Sequence, residues 1–136
     1  MSKKASVMFV CVHNAGRSQM AQGFMEALAG DRVEVRSSGT APAETINPSV
    51  VEAMAEEGID ISKNSPKILT AENVKDSDYV ITMGCGDECP YFPGKIYLDW
   101  PLDDPAGQGV DAVRPIRDEI KQKVLQLLEQ IDALTN

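Results

Sequence analysis

The sequence predicts an α/β fold: a three-layer arrangement with a four-stranded parallel sheet between helices, in a single domain over residues 1–136. Three observations support it. Four apolar segments rich in β-forming residues are separated by loops and stretches of helical periodicity, which supply the crossovers that parallel strands need. The first segment is almost uninterruptedly apolar, as a strand buried on both faces requires. The length of 136 residues is near the commonest size of one domain and sufficient for one core.

Ser6 to Val10 is the first strand, followed by the turn residues Asn14, Ala15 and Gly16 and by helical periodicity from Ser18 to Leu28. Met20, Phe24, Ala27 and Leu28 share one helical face, and Gly30 stands where a helix stops. Val33 to Arg36 alternates apolar with charged residues and runs into Ser37-Ser-Gly39, a second strand ending in a loop. Asn47-Pro48 is a good helix start, with proline at the first helical position. That helix carries Val51, Met54 and Ala55 and ends at Gly58. Residues 59–67 read as irregular, and Thr70 caps one or two helical turns ending near Val74. Asp78 to Met83 is the third strand, Lys95 to Leu98 the fourth, and Trp100 to Gly109 a loop. From Val110 to Leu134 the residues Val113, Ile116, Ile120, Val124, Leu127, Leu128 and Ile131 mark a long amphipathic helix.

Composition narrows the function. A hydrophobic share of 43% and a charged share of 25% are those of an ordinary globular protein. The apolar runs are too short for a spanning helix and no leader is expected, so the chain reads as cytoplasmic with no membrane partner. The net charge of −8 argues against a nucleic-acid partner, which would need clustered Lys and Arg. An anionic ligand must therefore be attracted locally, by backbone amides and a few cations, against the global field. Cys11, Cys85 and Cys89 are too few for a disulfide framework, and the single His13 leaves no Cys/His set for structural zinc.

The chemistry concentrates in Cys11-Val-His-Asn-Ala-Gly-Arg17-Ser18, between the first strand and the first helix. Such a loop aims backbone N–H groups at one point, where the helix dipole adds positive charge. Val12, His13, Asn14, Ala15, Gly16, Arg17 and Ser18 would bind a tetrahedral oxyanion there. The same field favours the thiolate of Cys11 as a nucleophile. Arg17 can fork two oxygens of the oxyanion, Ser18 can donate to the sulfur, and Asn14 and Gly16 tolerate a left-handed backbone. Cys11 read as a small buried hydrophobe and Arg17 as a surface residue would leave the clustered pattern unexplained. His13 reads as loop scaffold rather than acid or base.

Cys85 and Cys89 lie in Gly84-Cys-Gly-Asp-Glu-Cys-Pro90. One helical turn would bring their Cα atoms to about 6 Å, within disulfide range. The flanking glycines would permit rearrangement. A pair of structural thiols or a weak metal clip is the plainer alternative.

Together these residues resemble the arsenate reductases of the low-molecular-weight protein tyrosine phosphatase-like family. The resemblance rests on the Cys11-to-Arg17 loop, Ser37-Ser-Gly39, Asp103-Asp-Pro105 and the long closing helix. Arg17-Ser-Gln-Met-Ala21 and Asp103-Asp-Pro-Ala106 are similar to the reductase branch, whereas the phosphatases place an aromatic soon after the Asp-Pro pair. The resemblance implies that Asp104 is the general acid, with Asp103 second, although Asp-Asp-Pro-Ala-Gly is also a good turn sequence. It further implies a relay in which Cys85 attacks the arsenic-bearing Cys11 and Cys89 passes the disulfide outward.

In the best-known relatives the last two cysteines stand further apart, so the reductant is left open between thioredoxin and a glutaredoxin or small thiol. Gln22 and Pro66 stand where relatives that hold a monovalent cation place acidic side chains, so neither a metal nor another cofactor is expected. A monomer or weak homodimer is expected. The rival readings are a phosphatase using Cys11, Arg17 and Asp104 alone, and a non-enzymatic thiol-based arsenite or redox sensor. A sensor would need neither Arg17 nor Asp104.

Overall fold

Strand β1 (Ala5–Cys11) has no exposed residue, because it is an inner strand with side chains packed on both faces. In the computed structural model, which describes residues 5–83, 96–100, 102 and 109–135, it pairs in parallel with β2 (Val33–Gly39) on one side and β3 (Tyr79–Thr82) on the other. The fourth strand, β4 (Ile96–Asp99), lies outside β3, so the order is β2-β1-β3-β4 and every pair is parallel. Cys11 thus ends a strand whose register sets it opposite Gly39.

Helices α1 (Arg17–Ala29), α2 (Pro48–Ala55) and α4 (Val110–Thr135) build the larger core with Val7, Phe9 and Cys11, the residues on one face of β1. Met8 and Val10 point the other way, into a smaller cluster with Val80 and with Val74 of α3 (Ala71–Lys75). Both faces are covered, as predicted, but unequally. The stripe read from the sequence of α4 is the buried one: Val113, Ile120, Val124, Leu127, Leu128 and Ile131 enter the core, with Ile116 at its edge. Phe9 also meets Trp100, their ring centroids 5.8 Å apart.

Caps follow the sequence. The side chain of Asn47 accepts from Ser49 N–H ahead of Pro48, and that of Thr70 accepts from Asn73 N–H at the start of α3. Two helical faces differ from expectation. In α1, Met20 and Phe24 are buried with Ala21 and Met25, whereas Ala27 is exposed and Leu28 is 37% exposed. Ala29, the last residue of α1, is buried again, so the covered face in the final turn runs through Met25 and Ala29, one step round from the face read through Phe24 and Leu28. In α2 the inward residues are Val50, Ala53 and Met54, an i, i+3, i+4 set; Val51 is half-buried and Ala55 exposed. Among the described residues no helix is long and apolar enough to cross a membrane.

Candidate active site

Cys11 is 2% exposed and sits where β1 hands over to the loop that becomes α1. Two polar groups converge on it. Asn14 N–H donates to Cys11 Sγ at 3.2 Å, and Ser18 Oγ lies 2.9 Å from the same atom. The loop can fold back in this way because Asn14 adopts φ 50°, the left-handed region the sequence allowed for. The parallel expectation for Gly16 is not met: its φ is −141°, and it serves instead as the residue that opens α1. No side chain caps that opening, and the first helical bond runs from Met20 N–H to Gly16 O. The positive end of α1 is therefore turned toward the Cys11 loop.

The hydroxyl of Ser18 is oriented by a buried chain of amides. Lys67 backbone N–H, which can only donate, bonds Asn14 Oδ1 at 2.8 Å and so identifies that atom as the oxygen. Asn14 Nδ2 then donates to Ser18 Oγ at 2.7 Å. Ser18 Oγ therefore accepts from the amide, and toward the thiolate form of Cys11, which has no hydrogen to give, it is the donor. Gln19 Nε2 donates to both Asn14 O and Asn14 Oδ1 at 3.1 Å, and Gln19 Oε1 accepts from Asn64 Nδ2 at 3.2 Å.

A second wall comes from the chain after β2. Thr40, Ala41 and Ala43 donate their backbone N–H groups to Cys11, Val12 and His13 carbonyls, so this segment runs alongside the loop. Gly39 is what lets it approach: a Cβ there would lie 2.6 Å from Val12 O and 2.9 Å from Asn14 N. The stretch read as irregular ends here too, with Gly39 N–H bonded to Lys67 O and Leu69 N–H to Gly39 O.

Of the loop residues expected to bind the oxyanion, Asn14, Ala15, Arg17 and Ser18 are buried, Val12 and Gly16 are half-buried, and His13 is exposed. Arg17, read against a surface alternative, is only 6% exposed, and its Nη1 donates to Leu102 O at 3.3 Å. Asp104 and Asp103, the acid candidates, and Cys85 and Cys89, the relay pair, lie outside the described residues. Ser37 Oγ donates to Gln22 Oε1, and among the described residues no group of three His, Cys, Asp or Glu could hold a metal ion.

Sequence reading overlooked Gln19, Asn64, the Lys67 amide and the tight fit at Gly39. The available signal was Gln19 itself, a polar residue directly before the apolar pair Met20 and Ala21. Chemically, the arrangement offers a buried sulfur met by the Asn14 N–H and the Ser18 hydroxyl in the loop that opens α1, with the buried Arg17 as the helix's first residue, suited to nucleophilic attack on a bound tetrahedral oxyanion.

The profile of the family described as low molecular weight phosphotyrosine protein phosphatase matches residues 6–135. A glutaredoxin arsenate reductase of Synechocystis is 38% identical over 128 residues, covering 92% of this chain and 97% of the relative. Among solved structures, a thioredoxin-dependent arsenate reductase of Corynebacterium glutamicum superposes with a TM-score of 0.87 at 46% identity over 97% of this chain. This chain spans 64% of that protein's length. An arsenate reductase in its phosphate binding state gives a TM-score of 0.83 at 36% identity, covering 93% of this chain and 98% of the other.

Proposed function

The chain belongs to the low molecular weight phosphotyrosine protein phosphatase family, and within it we infer that it is an arsenate reductase, converting arsenate to arsenite with electrons from a thiol protein. The observation that carries this reading is the doubly hydrogen-bonded sulfur of Cys11 at the mouth of α1, in a chain matched nearly end to end by named arsenate reductases.

In the first step the Cys11 thiolate displaces one oxygen of arsenate, which leaves as water after protonation by Asp104, and a sulfur–arsenic(V) bond forms. Arg17 and the loop amides hold the remaining oxygens and balance their charge. Cys85 then attacks the Cys11 sulfur. The sulfur–arsenic bond breaks with its electron pair passing to arsenic, arsenite departs, and the two thiols are oxidised to a disulfide. Cys89 attacks Cys85, releases Cys11 as thiolate and leaves a Cys85 to Cys89 disulfide for the external reductant. Asp104, Cys85 and Cys89 enter on the family resemblance of their motifs, with Asp103 the alternative acid.

Thioredoxin is the proposed reductant. Relatives named for thioredoxin and for glutaredoxin both match this chain, so the test must separate them. Arsenate-dependent NADPH oxidation is followed with thioredoxin and its reductase, then with glutaredoxin and glutathione. One NADPH per arsenate in the first arm is expected. Turnover only in the second arm would replace thioredoxin, and turnover in neither alongside rapid phosphotyrosine hydrolysis would make the chain a phosphatase.

A further inference from the structure

We propose that Gln19 is a positioning residue of this site: its side-chain amide locks Asn14 so that the Ser18 hydroxyl delivers its hydrogen to Cys11 Sγ. The proposal rests on Cys11 being the nucleophile, as argued above, but its test reads the thiol directly and needs no arsenate.

Gln19 is a polar side chain at 1% exposure, where an apolar residue of α1 would ordinarily sit. Every polar atom it carries is engaged. Nε2 donates to the carbonyl and to the side-chain oxygen of Asn14, both at 3.1 Å, and Oε1 accepts from Asn64. With the Lys67 N–H, this puts two donors on Asn14 Oδ1 and leaves Asn14 Nδ2 only one direction, toward Ser18. Without Gln19, Asn14 loses one of the two donors on its side-chain oxygen and the donor on its carbonyl, at the residue whose left-handed backbone presents the N–H to the sulfur. Both donors to Cys11 thus depend on one amide that never touches it.

The test uses Gln19→Glu and Gln19→Met. Glutamate has the same size and can still accept from Asn64, but it faces the two Asn14 oxygens with acceptors instead of donors. Methionine keeps the bulk and removes all three bonds. Asn64→Ala, at a half-buried position, removes only the bond that orients Gln19. Alkylation of Cys11 by iodoacetamide is measured from pH 5 to pH 10 and followed by mass on the tryptic peptide of residues 5–17. Arg17 and His13, the charged and titratable groups of the same loop, are left in place.

The expected result is an alkylation profile displaced to higher pH by about half a unit or more for both Gln19 variants, and less for Asn64→Ala. In the arsenate assay kcat should fall about tenfold with KM within about twofold of the parent. A purely structural role would loosen the packing and make the buried sulfur more accessible, so the rate would rise at every pH. That outcome, or a parent-like profile in any folded variant of Gln19, would overturn the proposal. Gln19→Leu, which removes the same bonds without adding a charge, decides should Gln19→Met fail to fold. A displaced profile in a protein that reduces no arsenate would leave the positioning role standing and remove the reductase reading instead.

Discussion

The protein builds one polar network from neutral groups and another from charges. Around Cys11 the partners are amides and hydroxyls with almost no exposure: Asn14 and Ser18 at 0% and Gln19 at 1%. Between the end of α2 and α4 the partners are ions, with Glu56 accepting from Arg114 Nη2 at 2.6 Å and from the buried Arg117 Nη1 at 2.7 Å. The Glu56 and Arg114 side chains keep 36% and 41% of their surface. Where water is excluded, neutral donors fixed by backbone groups avoid the cost of burying charges, and their geometry is set by what they bond. Where water enters, ion pairs tie two helices together for little net energy. The first network should fail in chemistry and the second in stability, and substitutions can break or sharpen that contrast.

The largest effect is expected from Cys11→Ser, which keeps the hydrogen-bonding geometry but offers an alcohol that is not ionised at neutral pH. Arsenate reduction should fall by at least about a thousandfold, and loss of less than tenfold would remove Cys11 from its role. Next, Arg17→Lys retains the charge and loses the fork. Initial rates should show kcat/KM down by about a hundredfold, and a value within about twofold of the parent would place Arg17 outside the site.

Gly39→Ala tests whether the site network is also structural. The added Cβ would press on Val12 O at 2.6 Å, Asn14 N at 2.9 Å and Asn14 Cβ at 3.0 Å, none of which is the end of a flexible side chain. Urea unfolding should show a loss of about 1–3 kcal/mol, accompanied by lower activity, since the displaced N–H is one that serves the sulfur. An unchanged midpoint would mean that the loop and β2 can part there at no cost.

The smallest effect belongs to Glu56→Gln. Hydrogen bonds from Arg114, then from Arg117, hold the Glu56 carboxyl down to about 2 from its ordinary 4.5. Because the folded value is depressed, the stabilisation is complete above about pH 4.5 and disappears as pH falls toward 2. Calorimetry should find Tm lower by about 2 °C at pH 7, the two proteins converging across that acid window, with arsenate reduction unchanged at pH 7. A pH-independent gap would show that packing, not charge, joins these helices. Altered activity would dissolve the distinction between the two networks.

The same contrast explains what was legible in the sequence. All four strands, the long stripe of α4, the caps at Asn47 and Thr70, and the loop from Cys11 to Ser18 are written in local spacing, and each is found where local chemistry puts it. The left-handed turn at Asn14 was legible as a tolerance. Its purpose was not, because the groups that exploit it are remote: the Lys67 N–H is 53 residues away, and the Asn64 amide is 45 residues from Gln19. Residues 59–67 lack periodicity and so read as connecting chain, although their end closes the site. Gly39 looked like the end of a strand, and nothing in its neighbours announces that a methyl group would collide with the loop beside it. Ala27 and Leu28 failed for a related reason, since apolar small residues at Ala21, Ala27 and Ala29 do not state which side of the last turn is covered.

The parallel order of the sheet has a consequence for how the chain is made. Strand β1 comes first, but its partners follow late: Ala5 pairs with Val33, and Val7 waits for Tyr79. A ribosome releases Cys11 early, long before the amide of Lys67 can reach Asn14. During that interval the thiol has neither an oriented Ser18 nor a settled turn beside it. The bonds that orient Ser18 therefore wait for residues 64–67, and a chain still short of them carries Cys11 without its finished surroundings.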